Sequence, residues 1–444
     1  MAGVNMRIRT FLRGWAHDKR GTIAILFGLL TPVLVGGMAV GVETSYWYVS
    51  QRNQQNAADA AAMAAATNAG ANYAVEAKAV AAQYGFVDGA GNVTVTATNS
   101  AACPAGGNSC YSVTIARAVP LYLTQVVGYR GDTSLADNGH GKLLRARAVA
   151  KQGAQDRQYC LLALSSVGTD FVANGGPKAD LTGCSIMSNS SAVCNGSNLN
   201  ADYGDAHITS TGCGLIQESG IPIVPDPYSS LASNIPADTC GGAYPQEPNK
   251  NSDPALPASN SWSGSKALNG NVQVCGDLQL TADVMIDAPA GAVLIVRNGQ
   301  LDTNGHTLKT ANGSAVTVVF SGTNGGSSTH APTGKGTIDI QAPTSGPWSG
   351  VALYQDPGLT DGVNIADAGN SPTWDITGLV YLPHADVVFS GAVNKSSNGA
   401  SCFVMVADIL RVNGTASILS TGGCAAAGLS MPTGQVPGRG KLVS

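Results

Sequence analysis

Residues 18–66 read DKRGTIAILFGLLTPVLVGGMAVGVETSYWYVSQRNQQNAADAAAMAAA, and this stretch decides how the rest of the chain is organised. Residues 21–42 carry no charge, and a helix of these 22 residues can cross a hydrocarbon layer about 30 Å thick. Positive residues beside such a helix stay on the cytoplasmic side. We therefore predict a cytoplasmic tail over 1–20, one transmembrane helix over 21–42 and export of the rest. The basic residues that set this orientation are Arg7, Arg9, Arg13, Lys19 and Arg20.

The alternative for this stretch is a signal peptide that is cleaved. A signal core has about 7–15 apolar residues, followed closely by a small-x-small cleavage site. The charge-free run here is longer, and no such site follows it directly. The sequence favours an anchor that is retained.

The helical pattern continues beyond the charge-free run. The Ala-rich segment from Glu43 to about Gln83 contains no Pro, and Ala is the best helix former. We predict one helix over 21–84. Gly37 and Gly41 form a small-xxx-small pair that can bring two membrane helices together, although chance explains one such pair equally well in a Gly-rich segment. A second stripe of small residues suits close packing: Ala58, Ala61, Ala62, Ala65 and Ala69.

Two motifs in this stretch, RGTIAILFGLLTP and QNAADAAAMAAA, stand in an order and spacing that resemble TadG-type proteins of the bacterial tight-adherence (Flp, type IVc) pilus system. The resemblance implies a single-pass inner-membrane protein with its bulk in the periplasm. It also implies a role in pilus assembly beside other pilus components, such as pseudopilins and platform proteins. Looser similarity extends to YCLLAL (159–164), APTSGPWSGVALYQD (342–356) and GLVYLPHADVVFSG (378–391).

One position departs from the pilins of this system, which are cut after a Gly and carry Glu as the fifth mature residue. After Gly21 the fifth residue is Leu26. We therefore expect no cleavage by a prepilin peptidase, and an anchored protein instead of a fibre subunit.

Composition limits the classes of protein that fit the chain. Charged residues make up 12%, against about 25% in an average soluble domain, while apolar residues make up 44%. Abundant Gly with many Val, Ile and Leu favours short strands joined by tight turns. The net charge of −4, without a basic stripe beyond the membrane, gives no indication of nucleic-acid binding.

A small α+β domain is predicted over 43–155. Polar and apolar residues alternate over 91–98, 111–119 and 142–152, as in strands with one buried face. Pro120 suits the first turn of a short helix between the second and third strands. A long N-terminal helix beside an antiparallel sheet resembles a pilin-like layout.

A repeat of about 22 residues follows over 156–430. Val272, Val293, Val316 and Ile338 begin β-like segments, and Leu278–Leu301 and Ile286–Leu308 mark two further columns. Such a period, with three strands in each coil, predicts a right-handed parallel β-helix, a solenoid. An antiparallel sandwich is the competitor and would give hairpins every 8–12 residues or so. Eight prolines over 219–265 predict an excursion outside the solenoid, and 431–444 is predicted to be a tail.

Ten cysteines on the exported side of an anchor predict disulfides in an oxidising compartment. Cys103 and Cys110 lie in one predicted loop. Two further candidate pairs are spaced by about one coil, Cys160 with Cys184 and Cys402 with Cys424. Cys194, Cys213, Cys240 and Cys275 remain unassigned.

Parallel β-helices include polysaccharide-degrading enzymes, so we looked for clustered carboxylates. Asp283, Asp287, Asp302 and His306 are the nearest candidates, but they stand beside turn residues and are expected to cap turns. Neither the motif of a common hydrolase nor that of a nucleotide-binding site is present. DTSLA at 132–136 lacks the second Ser of a DxSxS metal motif. We expect no catalytic residue, cofactor or metal.

Side chains at two other sets of positions bear on ligand binding. Trp262, Trp348 and Trp374 either lie exposed or cover the solenoid. His140, His207 and His330 stand in polar sequence and are expected in solvent.

The leading hypothesis is a structural protein, anchored in the inner membrane, that supports pilus biogenesis and surface adherence. It could form homo- or hetero-oligomers through the N-terminal helix. The alternative is an envelope or surface adhesin that binds a glycan or a neighbouring cell through the β-helix, and an enzyme acting on polysaccharide ranks third.

Overall fold

The computed structural model describes residues 20–104, 106, 109–135, 139–250, 252–326, 328–393, 402–414, 416–419 and 423–443. The chain forms two compact units, one of Met1–Ala154 with Pro437–Ser444, the other of Gln155–Val436. Along the chain, the first unit gives way to the second after Ala154, close to the boundary predicted after residue 155. The predicted tail 1–20 lies outside the described residues except for Arg20, the first residue of a helix.

The described part of the first unit begins with two helices, where one was predicted. Helix α1 spans Arg20–Asn68 and helix α2 spans Tyr73–Gln83. The prediction of one continuous helix over 21–84 is wrong at the segment between them, where Ala69 has a φ of 46°. Asn68 and Gly70 favour a turn there, and the Gly70 N–H donates to Asn68 Oδ1.

An antiparallel sheet packs against these helices. Its strands are β1 Val93–Ala101, β2 Cys110–Pro120, β3 Thr133–Ser134 and β4 His140–Ala163. β2 lies between β1 and β4, with Ile115 opposite Val95 on one side and Ala146 on the other. The three predicted strands are confirmed. The short helix predicted after the second strand is present as a 3₁₀ helix at Thr124–Val127, but its predicted start at Pro120 is wrong, because Pro120 ends β2.

The core of the first unit is built from the Ala stripe of α1. The members Ala58, Ala61, Ala62 and Ala65 are fully buried against the sheet, in one cluster with Val95 and Ile115. Alanine lets the helix axis approach the strands closely, because the side chain ends at Cβ. Ala69 does not join this cluster, since the helix has already ended.

The second unit contains largely parallel strands. They are β5 Phe171–Asn174, β6 Lys178–Asp180, β7 Ser185–Ser188, β8 Ser191–Asn195, β9 Tyr203–Ala206, β10 Thr209–Thr211, β11 Ile216–Ser219, β12 Ser261–Ala267, β13 Gly270–Cys275, β14 Leu278–Asp287, β15 Ala292–Arg297, β16 Leu301–Asp302, β17 Thr307–Thr310, β18 Val316–Ser321, β19 Pro332–Thr333, β20 Thr337–Gln341, β21 Val351–Gln355, β22 Ile365–Ala368, β23 Thr373–Phe389, β24 Ala392–Val393, β25 Phe403–Val412 and β26 Ser417–Leu419. Short 3₁₀ helices lie at Ser229–Asn234 and Ala258–Asn260.

These strands stack in three columns, and each passage of the chain visits the columns in turn. The first column runs β11, β9, β7, β4, β25, β23, β21, β18, β15, β13. The second contains β10, β8, β5, β25, β23 and β22, with β19, β16, β14 and β12. The third runs β6, β26, β24, β23, β20, β17, β14, β12.

The stacking order is not the order of the sequence. The chain enters the first column at β4 and builds toward β11, then resumes at β13 and builds back until β25 pairs with β4. Among the predicted columns, Leu278 does pair with Leu301. Val272 pairs with Leu294, one residue from the predicted Val293, and Ile338 lies in the third column, away from Val316.

The interior between the columns holds the largest core cluster, to which Leu294, Leu280 and Leu308 each contribute from a different column. Strands of the first column are buried on their other face as well, where Ile295 and Tyr354 belong to a second cluster. Burial of both faces explains why these strands are continuous apolar runs without alternation.

The predicted Pro-rich excursion over 219–265 crosses the outer face of the first column but ends earlier than predicted, because β12 begins at Ser261. We call residues 220–257 the strap. Its side chains and carbonyls contact strand after strand toward β13, through the pairs Val224–Asn189, Asp226–Tyr381, Tyr228–Tyr354, Pro236–Arg297 and Cys240–Cys275. The strap thus carries the chain from the β11 end of the stack to the β13 end.

The last residues are not the tail predicted over 431–444, because strand β27 spans Thr433–Leu442. Its glycines permit close approach. A Cβ on Gly434 would stand 2.8 Å from Val224 Cγ2, and one on Gly440 would stand 2.4 Å from the Met63 carbonyl oxygen. Within the first unit, the Val443 N–H donates to the Val149 carbonyl at 2.9 Å.

Candidate functional site

The N-terminal half of α1 has an exposed apolar surface, the first candidate site. Folded soluble proteins seldom leave so large an apolar patch uncovered. By length and composition, the stretch Ile25–Asn68 contains a segment able to cross a membrane. The exposed large side chains of this surface are Ile25, Leu26, Phe27, Leu29, Leu30, Val33, Leu34, Val35, Met38, Val40 and Val42.

Glu43, directly after the charge-free run, is buried with 2% of its surface exposed. Its carboxylate accepts the backbone N–H groups of Tyr122 at 2.6 Å, Leu123 at 3.0 Å and Thr124 at 2.6 Å. The carboxylate thereby satisfies the free amides at the start of the 3₁₀ helix Thr124–Val127. This attachment was not found in the sequence, because it joins residues that are far apart in the chain.

The predicted packing glycines lie on an open face of α1. Among the described residues, a Cβ on Gly37 or Gly41 would meet no heavy atom within 4 Å, whereas one on Gly36 would stand 3.0 Å from Val127 Cγ1. Gly36 therefore faces the protein's own 3₁₀ segment. The Gly37–Gly41 face has open space beside it.

Glutamines precede the Ala stripe and tie α1 to the sheet. Gln54 Nε2 donates to the carbonyl oxygens of Ile115 at 2.5 Å and Leu144 at 3.0 Å. Gln51 and Gln55 donate to carbonyl oxygens of β4 in the same way. Their spacing of three and four residues places them on one helix face, a signal that sequence reasoning missed.

All ten cysteines are paired, including the three predicted pairs. The Cα–Cα distances are 5.4 Å for Cys103–Cys110, 5.8 Å for Cys160–Cys184 and 4.8 Å for Cys402–Cys424. The unassigned cysteines form Cys194–Cys213 and Cys240–Cys275. The last pair joins the strap to β13, so this pairing could be recognised only once the path of the strap was known.

Among the candidate carboxylates, Asp302 caps a turn as expected, whereas Asp283 and Asp287 contact residues 24 and 27 positions further along the chain. Asp302 Oδ1 accepts the Asn304 N–H at 2.8 Å, and Asp283 Oδ1 accepts the Thr307 N–H at 2.9 Å. His306 Nδ1 lies 3.9 Å from Asp283, and Asp287 Oδ1 lies 3.4 Å from Ser314 Oγ. In the first unit, Asp132 accepts from Lys142 Nζ and the Leu143 N–H.

Glu247 is a candidate acid–base group in the second unit. Burial, with the nearby carboxylates of Asp302 and Asp277, raises the pKa of Glu247 to about 7. Asp277, however, accepts the backbone N–H groups of Glu247 at 2.7 Å and Gln300 at 2.9 Å, which is a structural role. Within the described parts of the chain, no group of three or more His, Cys, Asp or Glu is arranged to hold a metal ion.

Buried polar groups elsewhere also serve the fold. Arg157 Nη1 lies 2.6 Å from Asp205 Oδ1 and 3.1 Å from Glu218, and Tyr159 Oη donates to Asp205 Oδ2 at 2.8 Å. Burial raises the pKa of Tyr159 well above its usual value. This network links strands β4, β9 and β11, and no motif in the sequence indicated it.

The three candidate tryptophans and one histidine are buried, so they do not form an exposed surface for a ligand. Trp262, Trp348 and Trp374 are 6%, 4% and 0% exposed, so they cover or fill the core. His330 was expected in solvent but is 1% exposed, with Nδ1 3.0 Å from the Asp361 carbonyl oxygen. Burial lowers its pKa.

Comparisons with known proteins give one match. No curated protein and no solved structure matches the chain. Residues 21–82 match the model of a family described as "Tad: Putative Flp pilus-assembly TadE/G-like". The matched segment covers α1 and nearly all of α2, with the exposed apolar surface, the glutamines and the Ala stripe. The segment 21–82 is therefore similar to the TadE/G-like family of putative Flp pilus-assembly proteins.

Proposed function

We propose that this protein is a membrane-anchored structural component of the Tad (Flp, type IVc) pilus-assembly machinery. The observation that carries the proposal is the coincidence of the family segment with the exposed apolar surface of α1. A helix that leaves this surface uncovered by its own chain needs another apolar environment, which a bilayer supplies.

The proposed location is the bacterial inner membrane, with one crossing, a cytoplasmic N-terminus and the bulk of the chain in the periplasm. The basic residues before the helix support this orientation. Five disulfides support an oxidising compartment for the rest of the chain.

For the architecture, we propose a pilin-like first unit and a right-handed parallel β-helix in the second. The Ala stripe on an antiparallel sheet supports the first assignment. Three columns of parallel strands support the second, since parallel connections are right-handed in nearly all proteins.

The proposed mechanism is scaffolding without catalysis, in which the two units present binding surfaces to pilus components such as pseudopilins and platform proteins. Assembly could use the open Gly37–Gly41 face of α1. Gly37→Leu with Gly41→Leu should reduce energy transfer between fluorescently labelled copies in liposomes, whereas Gly28→Leu, also with open space at Cβ, should not. Unchanged transfer in the double variant would exclude this face.

The proposal is tested in a bacterium that carries this gene. Deletion should reduce pili and surface attachment, and the full chain should restore both. In spheroplasts, added protease should digest the two units, whereas in intact cells they should be protected. Normal piliation of the deletion strain would contradict the proposal, and digestion in intact cells would favour the adhesin alternative.

A further inference from the structure

The loop after β2 carries an exposed apolar tip. No residue from Leu121 to Tyr129 is charged. The exposed fractions are 66% for Tyr122, 40% for Leu123, 77% for Val126 and 50% for Val127. We propose that this loop is a second membrane-contacting element, which dips its tip into the lipid interface beside the anchor helix. The inference rests on the proposed anchoring of α1.

The loop is fixed to α1 within the first unit. Three loop amides donate to the Glu43 carboxylate, and the Val127 Cγ1 atom lies close to Gly36. The ring centroids of Trp47 and Tyr129 are 5.8 Å apart. The loop therefore has a defined level along the helix.

That level lies inside the charge-free segment. Val127 contacts α1 at Gly36, seven residues before Glu43, which corresponds to about 10 Å along the helix at about 1.5 Å per residue. Amphipathic helices at membrane interfaces bury their apolar face to a depth of about 5–10 Å. If the helix crosses the bilayer over 21–42, the tip reaches the same depth.

Glu43 also fits this location. Amides that are exposed at the start of a helix can bind water in an aqueous setting, but in lipid they need a partner from the protein. The carboxylate supplies that partner to all three amides. At the same time, these bonds stabilise the carboxylate close to hydrocarbon.

The tip is continuous with the lipid-facing side of the helix, which identifies its partner. Val35, Met38 and Val42 are exposed on the same helix at the level of the loop. Tyr122, Tyr129 and Trp47 are residue types that membrane proteins concentrate at the interface. The partner that suits all of these side chains at this level is the lipid bilayer, at the boundary between headgroups and acyl chains.

The test is the depth of a spin label in liposomes that contain the full-length protein. A nitroxide is attached at Val126→Cys, with Val33→Cys as the hydrocarbon reference and Val167→Cys, 74% exposed in the second unit, as the aqueous reference. The native cysteines are all paired, so the new thiol labels selectively. Collisions with oxygen report lipid, and collisions with a water-soluble nickel chelate report water.

We expect the label at 126 to collide with oxygen in preference to the chelate, at a depth between the two references. Collisions with the chelate as frequent as at 167, while the label at 33 reports hydrocarbon, would overturn the inference and leave the anchor intact. Protection from both reagents would also overturn it, because a protein partner would then cover the tip. An aqueous signal at 33 would instead contradict the anchor itself.

Discussion

Leu162 and Val406 lie opposite each other on neighbouring parallel strands, although Leu162 belongs to the first strand of the second unit and Val406 to one of its last. Both are fully buried in the cluster that the strap covers. The first strand of the second unit, β4, therefore pairs with one of its last, β25, in the middle of the first column. We therefore expect that folding of the unit needs both segments.

Leu162→Ala should destabilise this pairing. A Leu→Ala change in a core costs about 2–5 kcal/mol. Amide hydrogen exchange should accelerate in β25 as well as in β4, because the two strands share hydrogen bonds. Leu215→Ala, at a side chain that is 67% exposed, is the control and should leave exchange unchanged. Unchanged protection of β25 in Leu162→Ala would show that the pairing contributes little.

Tyr381→Phe should loosen the strap. Tyr381 Oη donates to Asp226 Oδ2 at 2.6 Å, and its ring stacks on Tyr354 with centroids 4.6 Å apart. Phe keeps the ring but removes the hydrogen bond, at a cost of about 1–3 kcal/mol. Limited proteolysis should cut residues 220–257 faster than in the wild type. The control is Tyr84→Phe, which changes an exposed side chain; the protease should cut its strap at the wild-type rate. Equal rates for Tyr381→Phe would mean that ring packing alone holds the strap.

Gln54→Ala should weaken the attachment of α1 to the sheet. The variant loses two donors to buried carbonyls, those of Ile115 and Leu144, at an expected cost of about 1–3 kcal/mol. Thermal unfolding in detergent, followed by exchange of the β2 and β4 amides, measures the loss. The adjacent Asn53→Ala is exposed and should have little effect. Equal behaviour of the two variants would argue against the role assigned to Gln54.

Asp170→Asn should remove a pH dependence of stability. Burial raises the pKa of Asp170 from 3.8 to about 7, so the folded state holds a proton that the unfolded state releases. The stability that this carboxyl contributes is complete below about pH 4 and is lost as pH rises through about 7. Asn resembles the protonated acid and keeps the hydrogen-bonding position next to Ser188.

Chemical denaturation of the full chain at pH 4.5 and at pH 8 tests this prediction. The wild type should lose more free energy of unfolding between these values than Asp170→Asn does. Asp287→Asn, at an exposed carboxylate, should keep the wild-type difference. The same difference in all three proteins would remove Asp170 from the pH response.

Local sequence patterns predicted strands and disulfides correctly where residues close in the chain determine them. The alternation over 91–98, 111–119 and 142–152 fitted strands, because one face of each is buried. Cys103–Cys110, Cys160–Cys184 and Cys402–Cys424 also follow from spacing along a loop or a coil. The break after Asn68 was missed because the Ala-rich composition on both sides outweighed one Gly.

The sequence by itself determined the apolar helix, its basic flank and the Ala stripe, since each arises from residues that are close in the chain. The predicted strand period of about 22 residues fits Val272 and Leu294 but not the whole column, where Tyr203 and Ile216 pair 13 residues apart and Val318 and Leu353 pair 35 residues apart. Only the tertiary structure decided the order in which coils stack, the path of the strap, the Cys240–Cys275 pair and the bonds between Glu43 and the loop after β2. Coils with similar apolar faces fit beside one another in many orders. The order is chosen by contacts such as Leu162–Val406, between segments that no local pattern relates.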